Sequence, residues 1–142
     1  MIRAKFRCMS ITYNADQPTE VRFLPVAPKC SSYPEGCEEN KAFWDASPSG
    51  EMKAGIPKGA NVPFIVGDFY YIDMEPSDEG WKLWAVTQYE HNINISMGLG
   101  WDSDRDGFFH AELDLGITNK AVWPTFTGKS GSKWAVTITP AS

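Results

Sequence analysis

The chain has 142 residues, a net charge of −5 and an isoelectric point near 5.0, with 42% hydrophobic and 22% charged residues. This composition is typical of one ordinary globular domain, or of two very small ones that share a core. The acidic charge and the absence of Lys or Arg runs argue against nucleic acid or an anionic membrane as the main partner. No stretch of about 18 apolar residues predicts a transmembrane helix. The N-terminus lacks the apolar region of a signal peptide, so we expect no secretion.

Alternating apolar and polar residues predict four strands in the first half of the chain. Residues 5–13 and 20–26 are separated by a turn at 14–18 and predict a hairpin. Residues 51–56 alternate in the same way. The clearest strand is 67–76, which opens on a Gly and closes on a Pro that cannot donate to a β-ladder.

The second half predicts the same series of strands after a polar break at residues 77–80. Its alternating segments are 81–89, 92–99, 112–117 and 131–140, with a helical turn expected near 119–122.

Several residues of the two halves match in register, which indicates an internal duplication. Residues 112–117 repeat the Glu, Gly and Ile positions of 51–56, and Lys82-Leu83 corresponds in pattern to Lys5-Phe6. We therefore predict an all-β fold of two related β-units, 1–76 and 77–142, packed as one sandwich-like or barrel-like body. Helical structure should be limited to short turns.

An acidic segment in the second half resembles the start of a calcium loop. Asp102, Asp104 and Asp106 alternate and are followed by Gly107, as in the opening of an EF-hand. The twelfth position, however, is Leu113, where the loop needs a bidentate Glu, and neither flank has a helical pattern. The alternative is a solvated acidic turn with positive φ at the Gly. We expect no cofactor other than a weakly bound calcium ion.

The cysteines and histidines do not form a recognisable catalytic or zinc-binding pattern. Cys8, Cys30 and Cys37 are irregularly spaced, and His91 and His110 are not near paired ligands. Cys30 and Cys37 can close a short disulfide loop in an oxidising compartment, or remain free thiols in a reducing one. We predict no catalytic residues and expect a protein that is not an enzyme.

The aromatic residues are abundant and suggest a contact surface or a Trp-rich core. Adjacent residues of a strand point to opposite faces, so Tyr70 and Tyr71 cannot both be in the core. Trp81 and Trp84 are three positions apart and also face opposite ways. The predicted contact residues are Tyr70, Tyr71, Asp73, Glu75, Trp81, Trp84 and Trp101.

Four segments of the first half, residues 3–6, 39–44, 47–50 and 67–73, read RAKF, ENKAFW, SPSG and GDFYYID. In this pattern the chain resembles a group of small proteins encoded by tailed bacteriophages, whose members carry one such unit and have no assigned activity. The resemblance covers roughly the first 76 residues and transfers no catalytic or binding residue. It implies a viral source.

The resemblance and the aromatic content together predict a non-catalytic accessory protein of a bacteriophage virion, most plausibly a capsid decoration or cement protein. Its partner would be the capsid or another virion protein, bound in multiple copies, after synthesis in the host cytoplasm. One alternative is a phage anti-defence protein that binds a small ligand or nucleotide signal, which would need a deep pocket lined by Trp, Tyr, Arg and Lys. Another is a sugar-binding module that uses the acidic segment with calcium.

Overall fold

The computed structural model describes residues 2–16, 18–26, 40, 49–57, 61–99 and 110–141. Within these residues the chain forms eight strands that close into an antiparallel barrel in the order β1-β2-β3-β7-β6-β5-β8-β4. The all-β prediction is confirmed. The strands are β1 (Ile2–Thr12), β2 (Thr19–Pro25), β3 (Ser49–Ile56), β4 (Phe69–Ser77), β5 (Trp81–Gln88), β6 (Ile93–Leu99), β7 (His110–Ile117) and β8 (Lys133–Pro140).

The described residues contain one complete 3₁₀ turn, Trp123–Thr125, which follows the expected position by a few residues. Pro124 at the start of this turn has no N–H to satisfy, which suits it to a helix N-terminus. No helix in the described part of the chain is long and apolar enough to cross a membrane.

The strands form where side chains alternate between the barrel interior and the outside. In β1, Ala4, Phe6 and Cys8 point inward and are fully buried. Burying a large apolar side chain contributes roughly 1.5–3 kcal/mol. The period of two therefore fixes the face of each strand, because a slip of one residue would expose this apolar set.

Large aromatic side chains fill the barrel interior. Phe23 and Tyr70 make an edge-to-face contact with ring centroids 5.7 Å apart. Phe126, which follows the 3₁₀ turn, stacks on Trp134 with centroids 5.2 Å apart. These offset and edge-to-face geometries are the ones that aromatic quadrupoles favour. Of the two predicted uses of the aromatic residues, the core therefore accounts for Trp81 and Trp134, which are both buried.

The ladders that join the two predicted units are symmetric. Strands β1 to β4 form one contiguous set in the barrel, and β5 to β8 form the other. The sets meet where β3 pairs with β7 and where β4 pairs with β8, so each junction joins strands at the same place in their units. The first junction is centred on the pair Met52↔Leu113 and the second on Asp73↔Thr137. A common origin of the two units stays a prediction.

The ladders also show which residues correspond between β1 and β5. Phe6 pairs with Tyr70, and Trp81 pairs with Trp134, so Phe6 corresponds to Trp81. The sequence comparison had matched Phe6 with Leu83, two positions away. A shift of two residues preserves the inward and outward faces, which is why the alternating pattern alone does not detect it.

A β-bulge interrupts both strands at the corresponding position. The register shifts between Cys8 and Ser10 in β1 and between Leu83 and Ala85 in β5. A bulge adds an unpaired residue and turns the strand more sharply. Each bulge presents a large apolar side chain at the surface: Met9 in β1 and Trp84 in β5.

Candidate functional site

A band of cations and aromatic rings covers the outside of the barrel along β1 and β4. Arg3, Lys5 and Arg7 alternate along β1 with the buried residues, so all three point outward. The register places them beside Phe69 and Tyr71 of β4, through the pairs Lys5↔Tyr71 and Arg7↔Phe69. We call these five residues the β1–β4 outer face.

Each cation of the β1–β4 outer face lies against an aromatic ring. The guanidinium carbon of Arg3 is 4.3 Å from the ring centroid of Tyr71. The Nζ of Lys5 is 5.4 Å from the centroid of Phe69, and the guanidinium carbon of Arg7 is 5.8 Å from it. These distances are within the range of cation–π attraction, which is worth about 0.5–1 kcal/mol at exposed sites. The contacts therefore restrict the conformations of three long side chains on this surface.

An ion pair fixes the N-terminal end of this surface. Arg3 donates two hydrogen bonds to the carboxylate of Asp73, of 2.7 and 3.0 Å. The Asp73 side chain is 8% exposed and that of Arg3 is 47% exposed. The Arg3 guanidinium thus neutralises the Asp73 carboxylate. Of the two acidic residues among the predicted contact residues, Asp73 is buried and Glu75 is exposed.

The buried side-chain amide of Asn40 forms hydrogen bonds with the backbone of β1 at Lys5. The side chain of Asn40 accepts a hydrogen bond of 2.8 Å from the Lys5 N–H. It donates in return to the carbonyl oxygens of Lys5 and Val26, at 2.9 and 2.7 Å. Asn40 is fully buried and belongs to the ENKAFW segment on which the phage resemblance rests. This residue therefore positions the strand that carries the cations.

An exposed apolar patch continues the surface at the far end of β1. Met9, Ile65 and Val66 are all exposed. The Gly67 N–H donates to the carbonyl oxygen of Cys8 over 2.9 Å, which brings the segment before β4 beside the β1 bulge. Exposed apolar side chains next to cations are typical of protein contact surfaces.

The structure separates the predicted aromatic contact residues into two groups. Tyr70 is 3% exposed, and its hydroxyl accepts a hydrogen bond of 2.9 Å from the Ile65 N–H. Trp81 is fully buried in the core. Tyr70 and Trp81 are therefore packing residues and cannot form an exposed contact surface. Tyr71 lies on the β1–β4 outer face, and Trp84 is 39% exposed.

Trp84 lies on the outside of the barrel against Gly98 of β6. A Cβ atom at Gly98 would be 2.6 Å from the indole of Trp84 and would also collide with the carbonyl oxygen of Ala111. The absence of a side chain at Gly98 thus makes room for the Trp84 ring. It lies on a different part of the barrel from the β1–β4 outer face.

Several predicted residues lie outside the residues that the structure describes. Within the described ranges, no group of three or more His, Cys, Asp or Glu side chains could hold a metal ion. The calcium site and the disulfide stay predictions. The residues concerned are Trp101, Asp102, Asp104, Asp106, Cys30 and Cys37.

The thiol and the imidazoles do not form a nucleophile–base pair. Cys8 is buried in the barrel interior, where desolvation raises the pKa of its thiol. The negative charge of Asp68 raises this pKa further, whereas a hydrogen bond with the Ser10 backbone lowers it in part. His91 is exposed in the β5–β6 turn, 3.6 Å from Glu90. His110 begins β7 on the outward face, across the sheet from the interior. A raised thiol pKa also opposes nucleophilic use of Cys8.

Two polar hollows flank the Met52–Leu113 junction on the outside of β3 and β7. The first, of about 260 Å³, contains Glu20, Lys53 and His110. The second, of about 280 Å³, is formed by Ser96, Asp114 and their neighbours. Among the described residues, no Trp or Tyr lines either hollow, and carboxylates in both would oppose an anionic ligand.

An ionic cluster stabilises the same region. Arg22 donates to the carboxylate of Glu51 across β2 and β3, and Lys53 lies 3.4 Å from the other Glu51 oxygen. Partial burial acts to raise the pKa of Glu51, but the hydrogen bond from Arg22 and the charges of Arg22 and Lys53 outweigh it and lower the pKa below its usual value. The cluster links strands and contains no partner-facing aromatic residue.

Comparison with known proteins adds no relative: no family model, no curated protein and no solved structure matches the chain. The interpretation of the site therefore depends on the geometry of this chain alone. Sequence reasoning identified Tyr71 but missed Arg3, Lys5 and Arg7. Their alternation along β1 is visible in the sequence, whereas the strand that lies beside them is not.

Proposed function

We propose that the protein is a non-catalytic binding protein that contacts a macromolecular partner through the β1–β4 outer face. The observation that carries this proposal is the set of three cations held against two aromatic rings on the outside of an acidic chain. Aromatic and Arg side chains contribute most of the energy at many protein interfaces. A local positive surface on a chain of net charge −5 fits a partner that presents carboxylates.

The more specific proposal is that the partner is the capsid or another protein of a bacteriophage virion, to which this protein binds as a decoration or cement protein. Its support is the resemblance of residues 1–76 to small phage proteins, together with Asn40 from that pattern, which holds β1 in place. The exposed patch of Met9, Ile65 and Val66 adds apolar area to the same surface. A flat surface of this kind suits attachment to a large assembly better than enclosure of a small ligand.

The test is binding of the purified chain to assembled capsids and to unassembled capsid subunits of the encoding phage. A cement protein should bind the assembled shell and barely bind free subunits, because its site spans neighbouring subunits of the shell. Mass spectrometry of purified virions should also detect the chain. Equal binding to both forms, or absence from virions, would contradict the cement role.

A charge reversal tests the surface itself. Lys5→Glu should weaken binding about tenfold, because it places a carboxylate where the partner's carboxylates would approach. Lys82→Glu makes the same change at an exposed position of β5 and should leave binding within about twofold. If both variants weaken binding equally, overall charge and not the β1–β4 outer face determines the interaction.

A further inference from the structure

The two corresponding strands β4 and β8 differ in how far their outer edges are covered. β1 pairs with β4 from Ile2↔Met74 to Arg7↔Phe69, six residue pairs in all. β5 pairs with β8 only through Trp81↔Trp134 and Lys82↔Lys133. The edge of β8 that faces away from β4 is therefore open beyond Trp134 in the part of the chain that the structure describes.

The cause of this difference is the connection between the two units. The residues that correspond to the start of β1 are 77–80. Ser77 is the last residue of β4, and residues 78–80 pass from β4 to β5 across β8. At the crossing Gly80 has φ +128°, and a Cβ atom there would collide with the carbonyl oxygen of Trp134. Among the described residues, this connection therefore provides no segment that pairs with the rest of β8.

The direction of two hydrogen bonds shows which backbone groups point to the open side. The carbonyl oxygen of Ser132 accepts from the Leu83 N–H of β5 over 2.8 Å, and the Ala141 N–H donates to Phe69 of β4 over 2.9 Å. Successive residues of a strand point their N–H and C=O groups to opposite sides. Val136 and Ile138 therefore direct theirs away from β4, and among the described residues no backbone group pairs with them there.

The open edge has the composition of a strand that can pair with another strand. Ala135–Thr139 reads Ala-Val-Thr-Ile-Thr, with no charge and with β-branched residues at four of five positions. Protected edges usually carry Lys, inward charges, bulges or Pro. Here the first Pro is Pro140, which ends the strand and has no N–H to donate.

We propose that a second copy of this chain pairs antiparallel with β8, with Thr137 opposite Thr137 of the second copy. Val136 would then exchange backbone hydrogen bonds with Ile138 of the second copy, and Ile138 with Val136 of the second copy. The open run is symmetric about Thr137, because Trp134 is already paired with Trp81 and Pro140 lacks a donor. The same segment therefore complements itself.

Charge favours a second copy over a strand of another kind. The strand that covers β4 brings Arg3, which needs Asp73 as its partner. The corresponding residue of β8 is Thr137, so this edge offers no acid to a basic strand. Two uncharged β8 edges meet without the like-charge repulsion expected between other surfaces of two acidic chains, and Thr–Thr pairs suit facing positions on antiparallel strands.

The first experiment measures oligomeric state and amide exchange together. Sedimentation should show a monomer–dimer equilibrium that depends on protein concentration. In the dimer, the amides of Val136 and Ile138 should exchange at least about tenfold more slowly than in the monomer. The amides of Thr137 and Thr139, which face β4, should stay protected in both states. A monomer at all concentrations, or a dimer in which Val136 and Ile138 exchange rapidly, would overturn the proposal.

A substitution at the centre of the contact provides the second experiment. Thr137→Lys places two like charges face to face in the dimer and should weaken it about fivefold to tenfold, with little effect on the monomer because the side chain is exposed. Thr87→Lys makes the same change on exposed β5 and should leave the dimer unchanged. Circular dichroism checks that both variants fold. Equal dimerisation of Thr137→Lys and the unmodified chain would also overturn the proposal.

Discussion

The strands β4 and β8 occupy corresponding places in the barrel, yet their surroundings differ in chemistry as well as in coverage. β4 presents Tyr71 and Asp73 to the cations of β1, which makes a charged and aromatic surface. At the same positions β8 has Ala135 and Thr137, and among the described residues no strand pairs with them on the side away from β4. The same backbone arrangement thus supports two different kinds of surface.

The comparison indicates that the connection between β4 and β5 determines which strand edges remain unpaired. In the first unit, Ile2 to Arg7 belong to β1 and pair with β4. In the second unit the corresponding residues must cross β8 to reach β5. The two similar strands therefore differ in their surroundings, because residues that form the connection to β5 cannot also pair with β8.

The largest expected effect comes from the crossing. Gly80→Ala should lower the free energy of unfolding by about 3 kcal/mol or more, because the added Cβ collides with the Trp134 carbonyl and the residue has positive φ. Gly128→Ala is the matched control: its φ is +76°, but no atom lies within 4 Å of the added Cβ. It should cost only about 1 kcal/mol. Urea unfolding would measure both, and equal losses would mean that the crossing is not tightly packed.

A smaller effect is expected at the pair that attaches β1 to β4. Arg3→Ala should lower the free energy of unfolding by about 1–2 kcal/mol, because it leaves the nearly buried Asp73 carboxylate without its charge partner. The value is below that of a fully buried pair because Arg3 is half exposed. Lys82→Ala should change stability by less than about 0.5 kcal/mol. Similar losses in both variants would show that the ion pair does not secure the N-terminal strand.

Acid should weaken the first unit through Glu51. The folded-state pKa of Glu51 is lowered by Arg22 and Lys53, so its stabilising effect is present above the usual Glu pKa and is lost as the pH falls through the lowered value. In the second unit Ser96 and Asp114 occupy the places of Arg22 and Lys53, and Ser96 donates to Asp114 over 2.5 Å. Glu51→Gln should reduce the slope of urea midpoint against pH below about pH 4.3. Adding Arg22→Met to that variant should change the slope no further, and a slope unchanged by Glu51→Gln would contradict the assignment.

The smallest expected effect is at alkaline pH and concerns Cys8, whose counterpart in the second unit is Leu83. Burial raises the thiol pKa, so the unfolded chain loses this proton at lower pH than the folded one. Stability should therefore fall as the pH rises above the usual thiol value and towards the raised one. Cys8→Val should remove this part of the decline, as seen from the difference in urea midpoint between the two chains from pH 7 to 10.5. Parallel curves would show that Cys8 does not titrate differently on unfolding.

The alternation of single residues was sufficient to predict the eight strands and the all-β fold. In residues 67–76, for example, apolar and polar side chains alternate between turn residues, and the strand found there is Phe69–Ser77. Tyr70 and Tyr71 were predicted to face opposite ways, and one is buried while the other lies outside. Such patterns succeed because a strand with one buried face requires a period of two.

The site was predicted less well, because its residues meet only through strand pairing. Nothing near Arg3 in the sequence indicates that Asp73 and Tyr71 lie beside it. Likewise, Trp81 and Trp84 are equally apolar in the sequence, and the ladder with β8 decides that Trp81 is the buried one.

By itself, then, the sequence determined the strands and the alternation of their two faces, since these depend on local alternation and turn residues. Only the tertiary structure decided which strands are neighbours. It places cations against aromatic rings on β4 and, among the described residues, leaves the uncharged edge of β8 unpaired beyond Trp134. The physical reason is that a β-ladder joins residues far apart in the chain, and a connection of a few residues settles which edges remain to be paired.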